Sequence, residues 1–350
     1  MKIGLAGYSG SGVTTVLALL SEDPGVADSH AGPEIRSITV EDPRLEKLND
    51  FFSPKKLTAL QINIAELGDL RPEEGGGLRK ETLNRCAGLD AMVLVLRAFE
   101  APRVETIRKA EELVGELESL LQEFVIADLL PIEKRLEHLG KEGKFSSPEA
   151  RLLGDLKHGL EEGFPIRKMQ LDKEKLRLLS GYNFLTLLPT FVIANLGAEG
   201  AGIQAYPDLS DRCSKEGTSY TEIPALPELE TLELPQEERG PFLADLGVLQ
   251  PAAVKFIEVL FSQLNLVTFF TVSEKEVRAW TVPEGTPASS AAGRIHTDME
   301  RGFIRAEVIS VEECIALGGL NRAREAGKLR VEGKDYRLKD GEIFQVRFNV

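Results

Sequence analysis

The sequence predicts an α/β fold: a doubly wound, mostly parallel sheet, a long helical insertion, and a smaller strand-rich domain at the end of the chain. Three observations carry this. Apolar runs of strand length recur at Ile3–Ala6, Ala59–Ala65, Ala91–Leu96 and Pro189–Ala194, separated by helical stretches, as in a parallel sheet covered on both faces. A glycine-rich turn joins the first run to a helix-like segment. Beyond Thr268 the texture changes to short alternating runs punctuated by glycines, which marks a second, α+β domain.

Taken in order, Ile3–Ala6 is the first strand, 7–12 the turn, and Val13–Leu20 the helix it feeds. Between the third and fourth strands, Leu129, Ile132, Leu136 and Leu139 fall at steps of three and four, one apolar helical stripe. Residues 143–148 break it, and Leu152, Leu153, Leu156 and Leu160 resume it. Residues 103–180 are therefore expected to form a helical hairpin with coiled-coil character, its charges facing solvent. Residues 196–267 are acidic and interrupted by prolines, with helical periodicity returning at 250–264. The closing strands are expected at Val277–Val282, Phe303–Ile309, Leu329–Val331 and Ile343–Val350. The domain plan is thus 1–102 with 181–267, the insertion 103–180, and 268–350.

At 350 residues the chain exceeds what one core usually serves. With 42 basic against 56 acidic residues it carries a formal charge of −14, which excludes a wholesale nucleic-acid coat and makes DNA an unexpected partner. Three distant cysteines, Cys86, Cys213 and Cys314, match no metal spacing and suit a reducing, cytoplasmic setting. No run of eighteen apolar residues occurs, so no membrane span is expected. His30, His138, His158 and His296 are too dispersed for a triad or metal site, and Trp280 reads as core.

Gly7-Tyr8-Ser9-Gly10-Ser11-Gly12-Val13-Thr14 stands where a phosphate-binding P-loop belongs, after a strand and before a helix. The pattern G-x-x-x-x-G-K-[ST] surrounds phosphates with backbone N–H groups and neutralises them with its lysine. Gly7, Gly12 and Thr14 fit; Val13 takes the lysine position and supplies neither charge nor donor. The candidate nucleotide-binding residues of the loop are Gly7, Ser9, Gly10, Ser11, Gly12, Val13, Thr14 and Thr15. Thr14 is the candidate Mg²⁺ ligand, should a nucleotide bring the metal. No catalytic residue can be assigned.

The run VRAWTVPEGTPASSAAGRIHTDMERGFIRAEVIS (277–310), with EAGKLRVEGKDYRLKDGEIFQVRFNV (325–350), resembles the C-terminal TGS-like domain of YchF-type, Obg-related P-loop NTPases. Asp42-Pro43-Arg44-Leu45 with Pro54-Lys55-Lys56, Leu89-Asp90-Ala91-Met92, and Ala127-Asp128-Leu129 with Glu133-Lys134-Arg135 are similar to further segments of that family. The resemblance covers almost the whole chain. It implies a G domain, a coiled-coil insertion and a C-terminal TGS-like (β-grasp) domain, binding of Mg–ATP or Mg–GTP, and a partner in the ribosome or another translation-related protein or RNA.

The nucleotide motifs depart from the family one after another. Its DxxG motif is here Asn63-Ile64-Ala65-Glu66, with Leu67 where Ras-like enzymes orient water. Its NxxE motif is Asn195-Leu196-Gly197-Ala198, with Glu199 one position late, and an S-A-K-type motif is unrecognisable near 223–229. The histidine-bearing loop shrinks to residues 99–103 without histidine. Asn63 and Asn195 complete the candidate set. Three readings follow: a degenerate pseudo-GTPase with weak or no nucleotide binding, acting as scaffold or regulator near the translation machinery; an active NTPase that draws a lysine from Lys55, Lys56 or Lys80; or a nucleotide sensor whose slow binding switches a partner contact without turnover. Arg322, Arg324, Lys328, Arg330, Lys334, Arg337 and Lys339 read either as a solvated face or as an electropositive patch for RNA or ribosomal protein.

Overall fold

The structure, a computed structural model, describes residues 1–28, 35–72, 76–99, 110–198 and 206–349. Its first strands are β1 Lys2–Gly7, β2 Ile35–Val40, β3 Leu57–Thr58, β4 Leu60–Asp69, β5 Ala91–Ala98 and β6 Thr190–Leu196. They continue with β7 Ser219–Ile223, β8 Leu266–Val272, β9 Val277–Pro283, β10 Phe303–Ser310, β11 Arg330–Glu332 and β12 Glu342–Phe348. Packing divides the chain into two compact units, Met1–Ile38 with Asn63–Phe256, and Thr39–Ile62 with Ile257–Val350. Residues 39–62, grouped with the sheet domain on sequence, pack in the second unit, and the helical hairpin packs in the first.

The first unit is built on a sheet of order β2-β4-β1-β5-β6-β7. The pairs β1–β4, β1–β5, β5–β6 and β6–β7 are parallel. After β1 the chain runs out to the edge strand β2, returns through β4 beside β1, then crosses to β5 on the other side of β1. The carboxyl end of β1 is therefore the topological switch point at which such sheets bind ligands. β6 is buried along its whole length and β5 up to Arg97, which is why their sequences are runs rather than alternations.

The helix Val13–Leu20 buries Val16 through Leu20 against the sheet. A longer helix than the apolar stripe indicated, Ala110–Lys141, packs Leu113, Leu117, Leu120 and Phe124 into the sheet core. It continues through Pro131 and pairs Ile132 and Leu139 with Leu152, Leu153, Leu156 and Leu160 of the helix Pro148–Glu161. Buried Asp128 accepts the N–H groups of Leu185 and Thr186 at 2.8 Å and the Thr186 hydroxyl at 2.6 Å. That ties the insertion to the turn entering β6. Burial pushes this carboxyl up to about 6, opposed by the Thr186 and Leu185 donors.

The second unit holds a mixed sheet of order β11-β10-β12-β8-β9-β3. β8–β9, β10–β12 and β10–β11 are antiparallel, and β12–β8 and β3–β9 parallel. Its edge strand β3 arrives from residues 57–58, two hundred residues upstream of its partner β9. Ahead of it the helix Pro43–Phe52 is capped by Asp42, which accepts from the Arg44 N–H at 2.9 Å, and Leu45 and Leu48 join Phe270, Val277 and Ile343 in one core. The Arg44 guanidinium spans the Asp42 and Asp340 carboxylates. These contacts are the physical content of the Asp42-Pro43-Arg44-Leu45 segment.

Candidate phosphate-loop site

The loop leaving β1 has the backbone of an anion cradle. Gly10 and Gly12 both lie in the left-handed region at φ 86°, where a side chain is strained. Gly7 passes so close to the Val95 carbonyl and Ser11 Oγ that any Cβ would collide with them. Gly12 caps the helix Val13–Leu20, its carbonyl accepting the Val16 N–H at 2.9 Å. Ser9 and Gly10 are exposed, whereas Ser11 is buried, with its hydroxyl lacking a hydrogen-bond partner. Val13, Thr14 and Thr15 are half-buried on the first helical turn.

Asn195, at the end of β6, secures this loop. Its Nδ2 donates to the Ser11 carbonyl at 3.0 Å, and its Oδ1 accepts the Ala225 N–H at 3.2 Å. It is 3% exposed, so it tightens the loop and the turn after β7 from within. Glu199 lies outside the described residues, as does part of the shortened loop at 99–103.

Two carboxylates of β4 meet the same loop. The Thr14 hydroxyl donates to Glu66 Oε1 at 2.9 Å. The Ser9 N–H donates to Asp69 Oδ1 at 3.0 Å, and Asp69 is held by the Arg71 backbone N–H at 3.1 Å and its Nε at 2.8 Å. Asn63, the remaining candidate, stands apart from the loop: its Oδ1 accepts the Ser37 hydroxyl at 2.7 Å. Leu67 is fully buried in the sheet core, so the position that orients water in Ras-like enzymes faces inward and is apolar.

Asp69 and Arg71 escape sequence reasoning because only the extension of β4 as far as Asp69 brings that carboxylate opposite the loop. The sole sequence signal was an acid at 66 where the family carries glycine. Of the lysines open to replace Val13, Lys56 pairs with Glu276 at 3.3 Å and Lys55 donates its backbone N–H to the Glu274 carbonyl, both inside the second unit.

A P-loop hydroxyl ligates Mg²⁺ through its oxygen lone pairs, which an O–H donated to a carboxylate leaves open, and the phosphates beside it need positive charge. Here the hydroxyl is engaged by a carboxylate and the lysine position is apolar. The glycine geometry fits an anion, while Val13 brings no charge to it and Glu66 sets a carboxylate beside it.

Elsewhere the structure assigns ordinary roles to singled-out residues. The three cysteines are free and buried, and burial pushes their thiols up to about 12, 12 and 11 for Cys86, Cys213 and Cys314. His296 caps the helix Thr297–Arg301 by accepting the Asp298 N–H at 3.2 Å. Trp280 packs on the second unit's core with Arg278 stacked over it at 4.0 Å. Within the basic series, Arg324 pairs with Glu307 at 2.8 Å, Arg330 with Glu342, and Arg337 donates to the Gly285 carbonyl. Among the described residues no cluster of His, Cys, Asp and Glu suits a metal, and no helix is long and apolar enough to cross a membrane.

A glycine loop between a central parallel strand and a helix, at the switch point of a doubly wound sheet and with Gly7, Gly12 and Thr14 at P-loop spacing, marks the P-loop NTPase class. A family model described as YchF-GTPase_C, "Protein of unknown function (DUF933)", matches residues 266–349. The "Ribosome-binding ATPase YchF" of Haemophilus influenzae is 35% identical over all of this chain and 99% of its own, and that of Bacillus subtilis is 30% identical over the full length of both. The chain belongs to the YchF family. In architecture it matches the solved Schizosaccharomyces pombe YchF GTPase at a TM-score of 0.82, with 24% identity, over 99% of this chain and 97% of that one.

Proposed function

We propose that this chain is a YchF-family protein that has exchanged nucleotide-driven switching for a constitutive scaffold or regulatory role at the ribosome. The observation that carries the reading is a loop with no lysine and an added acid: Val13 stands at the lysine position, and the Glu66 carboxylate lies 2.9 Å from the Thr14 hydroxyl, where phosphate would meet a like charge. With Val13 in the lysine position, Mg–ATP or Mg–GTP binds weakly or not at all. Phosphoryl transfer, which depends on placed positive charge and an oriented water, has neither a cation nor a water-orienting side chain in this loop.

The ribosome enters as partner because the full-length relatives carry ribosome binding in their names. The contact would be made by the second unit and the helical hairpin, the parts whose motifs stay closest to the family. Cosedimentation with ribosomes tests this: the chain is expected to pellet to the same extent with Mg–ATP, with Mg–GTP and without nucleotide. Release or recruitment by either nucleotide would overturn the scaffold reading, and failure to pellet at all would overturn the partner.

A further inference from the structure

A cavity of about 420 Å³ opens in the first unit, away from the phosphate loop, between the long helix Ala110–Lys141, the end of the helix Pro148–Glu161 and the helix Pro207–Lys215. That volume is within the range of small-molecule sites. Leu121, Val125 and Leu129 step along the long helix at fours and are each half-buried, with Phe124 beside them. Leu160 and Pro165 complete the apolar lining. One side of a long helix thus presents a greasy slot that its own core does not fill.

The charges around the slot are unevenly matched. Each of its three acids already has a basic partner: Glu118 bonds Arg212 at 2.9 Å, Glu216 bonds Arg212 at 2.7 Å and Lys168 at 2.8 Å, and Glu161 faces Lys157 at 3.6 Å. Arg167 is the cation left over. Its Nη1 makes one long bond, 3.4 Å to the Thr186 carbonyl, while Nε and Nη2 are shielded from water without a hydrogen-bond partner. Burial lowers the pKa of this guanidinium, against the pull of Glu216. Donors shielded in this way are costly until an acceptor reaches them, and a carboxylate is the acceptor that matches the guanidinium fork.

We propose that this cavity is a binding site for a small amphipathic carboxylate, a medium-chain aliphatic acid whose carboxylate meets Arg167 and whose chain lies along Leu121, Val125 and Leu129. Seating it exchanges the long Thr186 contact for a charged, two-pronged one as the guanidinium turns toward the slot. An amine of the same length finds no unpaired acid there, and an alcohol leaves the fork half used.

The test is titration of the full chain with octanoate, 1-octanol and octylamine, followed by ligand-observed NMR. Octanoate is expected to bind at least about tenfold more tightly than the other two. Arg167→Met should remove that preference while leaving weak octanol binding in place. Leu121→Trp, which fills the apolar end, should remove binding of all three and gives a reading independent of the Arg167 variant. Equal affinity for octanoate and octanol, octanoate binding unchanged in either variant, or no saturable octanoate binding would overturn the proposal.

Discussion

Replacing Val13 with Lys and Glu66 with Gly together should turn the loop back into a nucleotide site. A lysine contributes one charge-assisted bond to phosphate, about 1.5–3 kcal/mol. Glu66 lies within hydrogen-bond reach of Thr14, so a phosphate there would sit about 4 Å from a like charge. At an effective dielectric near 20 that repulsion is up to about 4 kcal/mol per unit charge pair, and roughly 1–2 kcal/mol after screening at this half-exposed position. Together the changes are worth about 2.5–5 kcal/mol, or roughly sixty- to several-thousandfold in Kd for Mg–ATP or Mg–GTP.

The single variants are diagnostic because the two positions are coupled. Lys at 13 alone would be neutralised by Glu66 and should gain less than about tenfold, far short of its nominal 1.5–3 kcal/mol. Anisotropy of a fluorescent Mg–nucleotide, titrated with each variant, measures all three affinities. A double variant that improves by less than tenfold, or a Val13→Lys single that captures the whole gain, would refute the argument that Glu66 holds the site closed.

Three further outcomes follow from the same structure. Asn195→Ala removes two buried bonds that tie Ser11 and Ala225, and should cost about 2–3 kcal/mol of stability in urea unfolding; a loss under about 0.5 kcal/mol would deny Asn195 its structural role. Arg44→Ala unties Asp42 from Asp340 and should lower stability by about 1–3 kcal/mol, whereas an unchanged unfolding midpoint would contradict the role given to that motif. Burial pushes the Glu116 carboxyl up to about 7 against the pull of Arg97, so the folded state holds a proton that the unfolded state releases near its ordinary value. Stability should therefore fall as pH rises from about 4.5 to 7, and Glu116→Gln should exceed the native chain by roughly 3 kcal/mol at pH 8 yet match it below about pH 4.5. Equal urea midpoints at pH 8 would contradict this.

What could be seen in the sequence was what repeats locally. β1, β5 and β6 announced themselves as apolar runs because both of their faces are covered, and the helix Val13–Leu20 followed from its glycine turn. β7, Ser219–Ile223, is a short polar edge with no such signal, and β3 is two residues whose strand character exists only beside β9. The first half of the long helix fell within the expected helical stretch 103–180, but its packing did not, because Leu113, Leu117, Leu120 and Phe124 answer to the sheet rather than to the hairpin stripe. The glycine cradle was legible from spacing, since close approach and left-handed backbone both demand glycine. The Asp69 clamp on Ser9 and the two hydrogen bonds of Asn195 were not, because they join groups 60, 184 and 30 residues apart through the register of the sheet.

The loss of tight nucleotide binding proposed for a loop with Val13 and Glu66 is tested most directly by calorimetric titration of the native full chain with ATP and with GTP, each with and without magnesium. No saturable binding below about 1 mM is expected for either nucleotide, and no gain from magnesium. Micromolar or tighter binding that depends on magnesium would contradict it.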